Sequence, residues 1–259
     1  MPNITYLSPP AAVSMADRYF EIASVDHFWV QRRFDVFQRL AGELVPGAGT
    51  IAEFGCGHGL LQRQIEDKYG RDVMGFDLNE FALKLNVSRR SAVCCYDISQ
   101  KDPTLQGRFD LVHLFDVLEH IADEDQFLSS LLYHLAPGGR LVVNVPAGQW
   151  AYSAYDRADG HVRRYSIQSL RDVARRNNLA ITNWTYWGLP LLPLVVLRKV
   201  WLSGSRDDAK IVSTGFDSRS RFINHMLRLL SRCEPIPQTL LGSSLMAVLE
   251  VGGDSRRMP

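Results

Sequence analysis

The sequence has few of the features that mark secreted proteins. Among its 259 residues there are only four cysteines, and no two of them form a Cys-x-x-Cys pair. Cys94 and Cys95 are neighbours that would point to opposite faces of a strand, so the spacing indicates no disulfide framework. The chain does not open with a basic segment followed by an apolar one, which argues against a signal peptide. We therefore expect a reduced protein of the cytoplasm.

An excess of charge of either sign is also missing. The chain has 29 Lys and Arg residues against 28 Asp and Glu residues, so its formal net charge is +1. This balance provides no general field that would gather nucleic acid, and we expect no nucleic-acid partner. The hydrophobic share of 46% is large enough for a substantial core and excludes a disordered chain.

No hydrophobic run is long enough to cross a bilayer. The most apolar stretch, residues 188–202, is interrupted by Pro190 and Pro193 and carries Arg198 and Lys199 near its end. It falls short of the about 20 residues that a membrane-spanning helix needs. Residues 187–202 could still contact a lipid-linked substrate, a membrane surface or a partner subunit. The interpretation that we favour is an insertion buried beside the last strands.

What the sequence does contain is an alternation of short apolar strands and single helices. Strands separated by single helices require right-handed crossovers, and they form mostly parallel sheets with helices on both faces. We therefore predict an α/β fold with an open, doubly wound, mostly parallel sheet of seven strands. The strands are expected at residues 50–54, 72–77, 92–96, 109–115, 140–145, 180–187 and 244–251, and helices at 60–69, 80–88, 123–135, 167–177 and 221–233.

The remaining segments predict coverings of this sheet. Residues 1–45 have a helical pattern and are assigned to an N-terminal helical lid, and residues 46–259 to the α/β domain. Insertions at about 146–165 and 187–233 are expected to cover the substrate, because connections of such length are seldom simple turns. Residues 203–218 are predicted to be a mobile loop.

The most informative stretch is IAEFGCGHG, residues 51–59, in which three glycines follow a short apolar strand. Glycine at the first strand-to-helix turn lets a ligand come close to the backbone. A dinucleotide-binding turn has the pattern G-x-G-x-x-G, but Leu60 stands where that pattern requires its third glycine. Glu53 would also repel a pyrophosphate and suits a cationic ligand instead. An NAD-dependent oxidoreductase is therefore a disfavoured alternative.

Two further acidic residues end the next two predicted strands. Asp77 closes the second strand, where a carboxylate can accept hydrogen bonds from both hydroxyls of a ribose. Asp97 closes the third strand beside Ile98, at the depth of an adenine amino group. The stretches FDLVHLFDVLEHI, residues 109–121, and LAPGGRLVVNVP, residues 135–146, follow.

Together these motifs resemble those of the class I S-adenosylmethionine-dependent methyltransferases, over roughly residues 15–251. EFGCGHG matches their first motif, Asp77 and Asp97 match their ribose and adenine acids, and the two later stretches match their fourth-strand and fifth-strand motifs. The resemblance extends to a bacterial branch of small-molecule and glycan type. That branch has an HWWF-like segment before an arginine, and a tryptophan, an acid and an H-x-R-R-Y element after the fifth strand. The matching residues are His27-Phe28-Trp29-Val30, Arg33, Trp150, Asp156 and His161-Val162-Arg163-Arg164-Tyr165; Phe28 and Val30 depart from the pattern.

The resemblance implies S-adenosyl-L-methionine as cofactor and S-adenosyl-L-homocysteine as product. Arg33 would bind the methionine carboxylate, for which a guanidinium has bidentate geometry, and Glu53 would face the ammonium or sulfonium side. Phe115 would lie along the cofactor, and Asp116 would shape that edge. The expected cofactor-binding residues are Arg33, Glu53, Gly55, Cys56, Gly57, Asp77, Leu78, Asp97, Ile98 and Phe115.

For the substrate, the resemblance implies contacts from the lid and from the connection after the fifth strand. The residues expected there are Trp29, Trp150, Tyr155, Arg163, Arg164 and Tyr165. Arg163 and Arg164 either open a solvated basic helix or recognise an anionic substrate. The acceptor is expected to be a small molecule, with an anionic or lipid-linked compound among the alternatives. The oligomeric state is left open.

The expected reaction is in-line methyl transfer to an oxygen, either a hydroxyl or a carboxylate. A hydroxyl acceptor must lose a proton, and His161 is the candidate base; alternatively it is a loop histidine tied to Asp156 or Asp159. N-methylation, and a cofactor-binding partner protein without turnover, are kept as alternatives. No metal is predicted, because Asp156 and Asp159 have no neighbours in sequence that are typical of a metal site.

Overall fold

A computed structural model of the protein describes residues 2–13, 20, 23–202, 211 and 220–252. Within this part of the chain, eight strands form one sheet in the order β1-β4-β3-β2-β5-β6-β8-β7. Strands β1 to β6 pair in parallel, and β8 is antiparallel to both β6 and β7. The strands are β1 (Ile4–Tyr6), β2 (Ile51–Phe54), β3 (Met74–Asp77), β4 (Val93–Cys95), β5 (Phe109–Phe115), β6 (Leu135–Pro146), β7 (Leu179–Trp187) and β8 (Ser244–Val251).

Nine α-helices are described in the same part of the chain, and hydrogen bonds from side chains mark where several begin. The carboxylate of Asp123 accepts a hydrogen bond from the amide of Gln126 at 3.0 Å at the start of α5, and Ser166 forms a capping box with Ser169 at the start of α7. The helices are α1 (Phe28–Ala41), α2 (Leu44–Gly47), α3 (Leu60–Tyr69), α4 (Glu80–Lys84), α5 (Glu124–His134), α6 (Ala154–Ala158), α7 (Ile167–Arg176), α8 (Leu192–Leu202) and α9 (Arg221–Ser231).

Both faces of the sheet are covered, as the pattern of single crossovers predicts. One apolar cluster includes Phe54 and Phe109 and packs under α5 and α7. The other includes Phe37 of α1 and Ile65 of α3. In β5 every residue except Asp110 is buried, which is typical of a central strand in a parallel sheet. The predicted mostly parallel α/β sheet is confirmed.

The predicted count of seven strands is wrong by one, because β1 lies inside the segment expected to be helical. Ile4, Thr5 and Tyr6 pair in parallel with Val93, Cys94 and Cys95 at the edge of the sheet. Three β-branched and aromatic residues suit a short edge strand. A run of three residues is too short to show the alternation of apolar and polar residues that predicts a strand. In the described part of the segment predicted to be a lid, Phe20, α1 and the start of α2 are helical. The predicted loop at 203–218 lies outside the described residues apart from Ile211.

The favoured burial of residues 187–202 is also wrong for most of α8. Trp187 is fully buried at the end of β7, but Leu197, Val200 and Trp201 are 60%, 67% and 73% exposed. Phe222 of α9 is exposed to 73% as well. Burial failed as a prediction because an apolar run does not reveal which of its faces meets another element. None of the described helices is long and apolar enough to cross a membrane.

The four cysteine thiols are free, and only Cys233 is exposed. Cys94 packs with the cluster around Phe54, whereas Cys95 packs with Leu83 on the other face of the sheet. Adjacent strand residues face opposite ways, so the expectation for this pair is confirmed.

Candidate functional site

A pocket lies where β2 and β5 end and the glycine-rich turn begins. The empty space within it is about 390 Å³, part of which is open solvent. Six of the predicted cofactor-binding residues line it, namely Arg33, Glu53, Gly55, Cys56, Gly57 and Phe115. The other lining residues are Phe20, His58, Leu60, Leu61 and Asp116.

The glycines of the turn are required by the backbone as well as by any ligand. Gly55 has a φ of +74°, and a Cβ there would come within 2.3 Å of Cγ2 of Val117. Its amide donates a hydrogen bond to the carbonyl of Phe76 at 2.7 Å, which fixes the turn against β3. Gly57 also has a positive φ, of +53°. The turn can therefore form only with residues that tolerate left-handed backbone conformations.

Glu53 is the next-to-last residue of β2; it lines this pocket and is only 4% exposed. Its Oε2 atom is buried and has no hydrogen-bond partner among the described residues. Burial raises the pKa of Glu53 to about 8, although the charge of Arg33 acts in the opposite direction. A buried carboxylate oxygen without a partner is costly, and a cationic ligand in the pocket would satisfy it.

Asp77 is joined to the glycine turn from the end of β3. Its Oδ2 atom accepts a hydrogen bond from the amide of Gly57 at 2.7 Å, and Oδ1 accepts one from the amide of Asn79 at 2.8 Å. Burial raises the pKa of Asp77, and these hydrogen bonds lower it. The carboxylate is thus held in a fixed orientation against the glycine turn, although Asp77 does not belong to the lining of the pocket.

The N-terminal segment runs past the residues predicted to hold the adenine. The amide of Asp97 donates to Oγ of Ser8 at 2.6 Å, and Ala11 donates from its amide to the carbonyl of Leu78 at 3.2 Å. The carboxylate of Asp97 accepts a hydrogen bond from the amide of Ser99, and the side chain of Ile98 is buried. Sequence reasoning did not assign Ser8 to this edge.

Arg33 belongs to a network that sequence reasoning did not foresee. Its guanidinium forms an ion pair of 2.5 Å with Oδ2 of Asp116 and lies over the ring of Phe115. Asn144 donates from Nδ2 to Oδ1 of Asp116 at 2.6 Å and accepts from Nε1 of Trp187 at 2.9 Å. The residues come from four distant segments, so no local pattern in the sequence could have revealed the network.

Trp29 lies on the far side of this network. Its ring centroid is 4.4 Å from that of Trp187, and the side chain packs against the core cluster around Phe37. It does not belong to the lining of the pocket. Its predicted contact with substrate stays a prediction.

A second group of polar side chains surrounds His161 in the connection after β6. Nδ1 of His161 lies 3.1 Å from Oδ1 of Asp156, and Nε2 lies 3.4 Å from Oδ2 of Asp159 and 4.0 Å from Oε1 of Glu119. Burial alone lowers the pKa of His161, but the hydrogen bonds to Asp156 and Asp159 and the charge of Glu119 raise it to about 10. The surrounding carboxylates therefore favour the protonated form of the ring over the neutral form.

Glu119 and His120 complete this group from the loop after β5. The ring of His120 lies edge-on to that of His161 with centroids 4.8 Å apart. Burial raises the pKa of Glu119 and lowers that of His120 to about 4. Folding therefore gives His161 carboxylate and imidazole neighbours that the sequence argument against a metal did not include. Glu119 was visible in the fourth-strand motif, but its proximity to residue 161 was not.

The other predicted substrate residues mostly hold the connection in place. Arg164 pairs with Asp156 at 2.6 Å, Arg163 pairs with Glu124 at 2.7 Å, and the hydroxyl of Tyr165 donates to Glu124 at 2.8 Å. Among the rest, Tyr155 lies under the guanidinium of Arg198, with 3.8 Å from Cζ to the ring centroid, and Trp150 is half exposed. The geometry favours the structural interpretation of both arginines, and their contact with substrate stays a prediction.

Comparison with known proteins bears on the whole of this site. A family model described as a methyltransferase domain matches residues 25–183. A Mycolicibacterium smegmatis protein described as a probable S-adenosylmethionine-dependent methyltransferase is 30% identical over 142 residues, 53% of this chain and 53% of that protein. A ubiquinone biosynthesis O-methyltransferase from Rhodopseudomonas palustris is 33% identical over 121 residues, 44% and 46% of the two chains. The chain thus spans about half the length of these relatives.

Solved structures show the same fold. A crystal structure of a SAM-dependent methyltransferase from Archaeoglobus fulgidus aligns with a TM-score of 0.51 and 17% identity, over 86% of this chain and 95% of that one. At this identity the likeness shows the fold alone.

Proposed function

The chain belongs to the methyltransferase-domain family, and on that premise we propose that it is an S-adenosylmethionine-dependent methyltransferase acting on an oxygen of a small molecule. The family match spans residues 25–183 and includes the whole glycine turn and the polar group around His161. The observation that carries the proposal is the buried, unpartnered Oε2 atom of Glu53 in the wall of the pocket.

The residues of the pocket fit this cofactor. Glu53 offers a carboxylate to a cationic group, and Gly55 offers backbone without a side chain, since a Cβ would collide with Val117. Asp77 is held against the glycine turn, and an oxygen with a remaining lone pair can accept from a ribose hydroxyl. An NAD-dependent oxidoreductase is disfavoured because Leu60 stands where a dinucleotide-binding turn requires its third glycine.

When bound, S-adenosylmethionine supplies a methyl group on a positively charged sulfur. The chain's own residues then have to align an acceptor oxygen behind that methyl group, since orientation alone contributes about 7–11 kcal/mol. In the transfer the acceptor oxygen forms the new bond to carbon, the electron pair of the carbon–sulfur bond stays on sulfur, and a hydroxyl acceptor releases its proton. The base role of His161 remains a prediction, and it requires the imidazolium to lose its proton first. A carboxylate acceptor would need no base.

For the acceptor we propose a lipophilic compound that carries a hydroxyl group. The support is the exposed apolar face of α8 and α9, whose most exposed side chains are those of Leu197, Val200, Trp201 and Phe222. Helix α8 packs against α6 and the turn at 149–151, in the connection that holds His161. The relative named for ubiquinone biosynthesis is an O-methyltransferase, which accords with transfer to oxygen.

Isothermal titration and a methyl-transfer assay test the proposal separately. We expect saturable heat with S-adenosylhomocysteine and none with NAD, and Asp77→Asn should weaken that binding by about 1–3 kcal/mol, the value of a buried polar contact. Incubation with labelled S-adenosylmethionine and a panel of hydroxylated, carboxylated and amino compounds should label an oxygen. Binding of NAD would overturn the cofactor assignment. Cofactor binding without transfer to any compound would favour a partner protein, and transfer to nitrogen would favour an N-methyltransferase.

A further inference from the structure

A compact set of metal-ligand types lies beside the cofactor pocket, and the family assignment does not account for it. Among the residues that the structure describes, Glu119, His120 and His161 each place one ligand atom so that all three atoms lie within 4.8 Å of one another. Asp159 adds a carboxylate whose Oδ2 atom is 3.4 Å from Nε2 of His161. We propose that these four residues form a binding site for a divalent transition-metal ion such as zinc.

Two carboxylate oxygens of the set are left unsatisfied by the protein itself. Oε2 of Glu119 and Oδ1 of Asp159 are buried and have no hydrogen-bond partner among the described residues. Glu119 is only 1% exposed and Asp159 only 5%. Native proteins rarely leave such atoms unsatisfied, and a cation between the two carboxylates would supply the missing interaction.

The orientation of His161 is what a metal ligand requires. Asp156 holds the ring through Nδ1 at 3.1 Å and is itself held by Arg164 and by the amide of Ser153. Nε2 is thereby directed towards Glu119 and Asp159. A carboxylate behind a histidine is the usual outer partner of a metal-bound imidazole.

The backbone brings both halves of the set together. The amide of Val162 donates to the carbonyl of Glu119 at 2.8 Å, and the amide of His161 donates to the carbonyl of Asp156 at 2.8 Å. The loop after β5 is thus fastened to the connection after β6. Ligand bonds of about 2.0–2.2 Å place donor atoms about 3.4 Å apart in a tetrahedral site. The ligand atoms of Glu119, His120 and His161 lie within 4.8 Å of one another, so they would have to approach by at most about 1.4 Å.

Two imidazoles and two carboxylates select the kind of ion. Imidazole suits zinc, iron, cobalt and nickel, whereas Mg²⁺ prefers an all-oxygen shell. Asp116 lines the pocket and acts electrostatically on Glu119, so such an ion would lie near the pocket wall. On the proposed function, an added fifth position on the ion would hold the acceptor oxygen and favour its deprotonated form, in place of His161 as the base. That role depends on methyl transfer, but the binding of the ion does not.

The test is metal binding by the whole protein after treatment with a chelator. Titration with Zn²⁺, and with Co²⁺ followed by its visible absorption, should show one saturable site per chain with a micromolar or lower dissociation constant. His161→Asn and Glu119→Gln should each weaken binding at least tenfold, and Asp156→Asn should weaken it about 10- to 100-fold. Mg²⁺ should bind at least tenfold more weakly than Zn²⁺.

An exposed histidine, His225, provides the matched control. His225→Gln on α9 should leave the Zn²⁺ affinity unchanged, and circular dichroism should show that every variant used is folded. Absence of a saturable site in the wild-type protein overturns the proposal, whatever the variants do. So does an equal loss in His225→Gln, or equal affinity for Mg²⁺ and Zn²⁺. Binding of S-adenosylhomocysteine to the metal-free protein is measured in parallel, so failure of this site and failure of the proposed function are distinguished.

Discussion

Glu53 is a carboxylate that the folded protein holds in a largely protonated state. Burial raises its pKa to about 8, and Oε2 has no hydrogen-bond partner among the described residues. A side chain of this kind stabilises a cationic ligand more than it stabilises the fold.

Replacing this carboxylate should weaken cofactor binding without loss of stability. For Glu53→Gln we expect S-adenosylhomocysteine to bind about 10- to 100-fold more weakly, since a hydrogen bond to a charged group contributes about 1.5–3 kcal/mol. Isothermal titration measures the affinity, and thermal unfolding should show an unchanged or slightly higher melting temperature. Glu43→Gln, at an exposed carboxylate outside the pocket, is the control. Equal affinity in both variants would remove Glu53 from the site.

The same residue predicts a pH dependence of binding. Glu53 is mostly protonated below about pH 8 in the free protein, and a cationic ligand favours its ionised form. The affinity for S-adenosylhomocysteine should therefore rise from about pH 6 to about pH 8, by at most about tenfold per unit, and level off above. Titration in buffers of different ionisation enthalpy should show proton release at neutral pH. The Glu53→Gln protein should lack this rise; a flat wild-type profile would contradict the assigned pKa.

His113 predicts a different pH effect, on stability. It is fully buried in β5 with its ring 5.1 Å from that of Phe37, and burial lowers its pKa from 6.5 to about 3. The folded state thus binds fewer protons than the unfolded state between these values. The resulting stability is fully present above about pH 6.5 and is lost as the pH falls towards 3.

Urea unfolding at a series of pH values measures this loss. In His113→Leu the part of the acid destabilisation that belongs to this residue should disappear, whereas His225→Leu, at an exposed position, should retain it. Identical acid sensitivity in the two variants would show that folding does not lower the pKa of His113.

At the scale of elements, the turn between β2 and α3 joins local backbone geometry to function. Gly55 is closed to other residues both by its φ of +74° and by Val117. We expect Gly55→Ala to lower the free energy of unfolding by about 1–3 kcal/mol and to abolish binding of S-adenosylhomocysteine, because the turn must move away from Val117. Chemical denaturation and titration measure the two effects.

The chain offers a matched control for this substitution. Gly47 ends α2 without a positive φ, and a Cβ there would meet nothing within 4 Å. Gly47→Ala should leave the free energy of unfolding unchanged or raise it slightly. If Gly55→Ala behaves as Gly47→Ala does, the turn is more adaptable than its backbone geometry implies.

At the scale of the whole molecule, distant ends of the chain are tied together beside the site. Arg32 of α1 forms an ion pair with Glu234 at 3.1 Å, with both side chains 1% exposed. Glu234 also accepts hydrogen bonds from the amides of Gly188 and Leu189. Arg33, the next residue, lines the pocket, so this pair helps to position α1 beside it.

Breaking that pair should destabilise the protein strongly. Arg32→Met leaves the charge of Glu234 buried without its cation, and we expect a loss of about 3–5 kcal/mol in the free energy of unfolding. Adding Glu234→Gln should restore part of it. Arg232→Gln removes a more exposed pair, which Arg232 forms with Asp35 of α1, and should cost only about 0–1 kcal/mol. Equal losses in Arg32→Met and Arg232→Gln would show that burial of the first pair is energetically unimportant.

The sequence by itself determined the features that depend on neighbouring residues. The strand–helix alternation, the glycine turn at residues 55–59 and the position of Asp77 at the end of a strand all follow from local spacing. That spacing sets which backbone conformations and which faces are available. The ends of β5 and β8 and the bounds of α3 were predicted correctly for the same reason.

Only the tertiary structure decided what meets across the fold. The partner of Arg33 is Asp116, at a separation of 83 residues, and Glu119 faces His161 from a different loop. The outer face of α8 is exposed although its residues are apolar. Each of these outcomes depends on the packing of segments far apart in the chain, and such packing is set by the shapes and charges of whole elements, which no local pattern records.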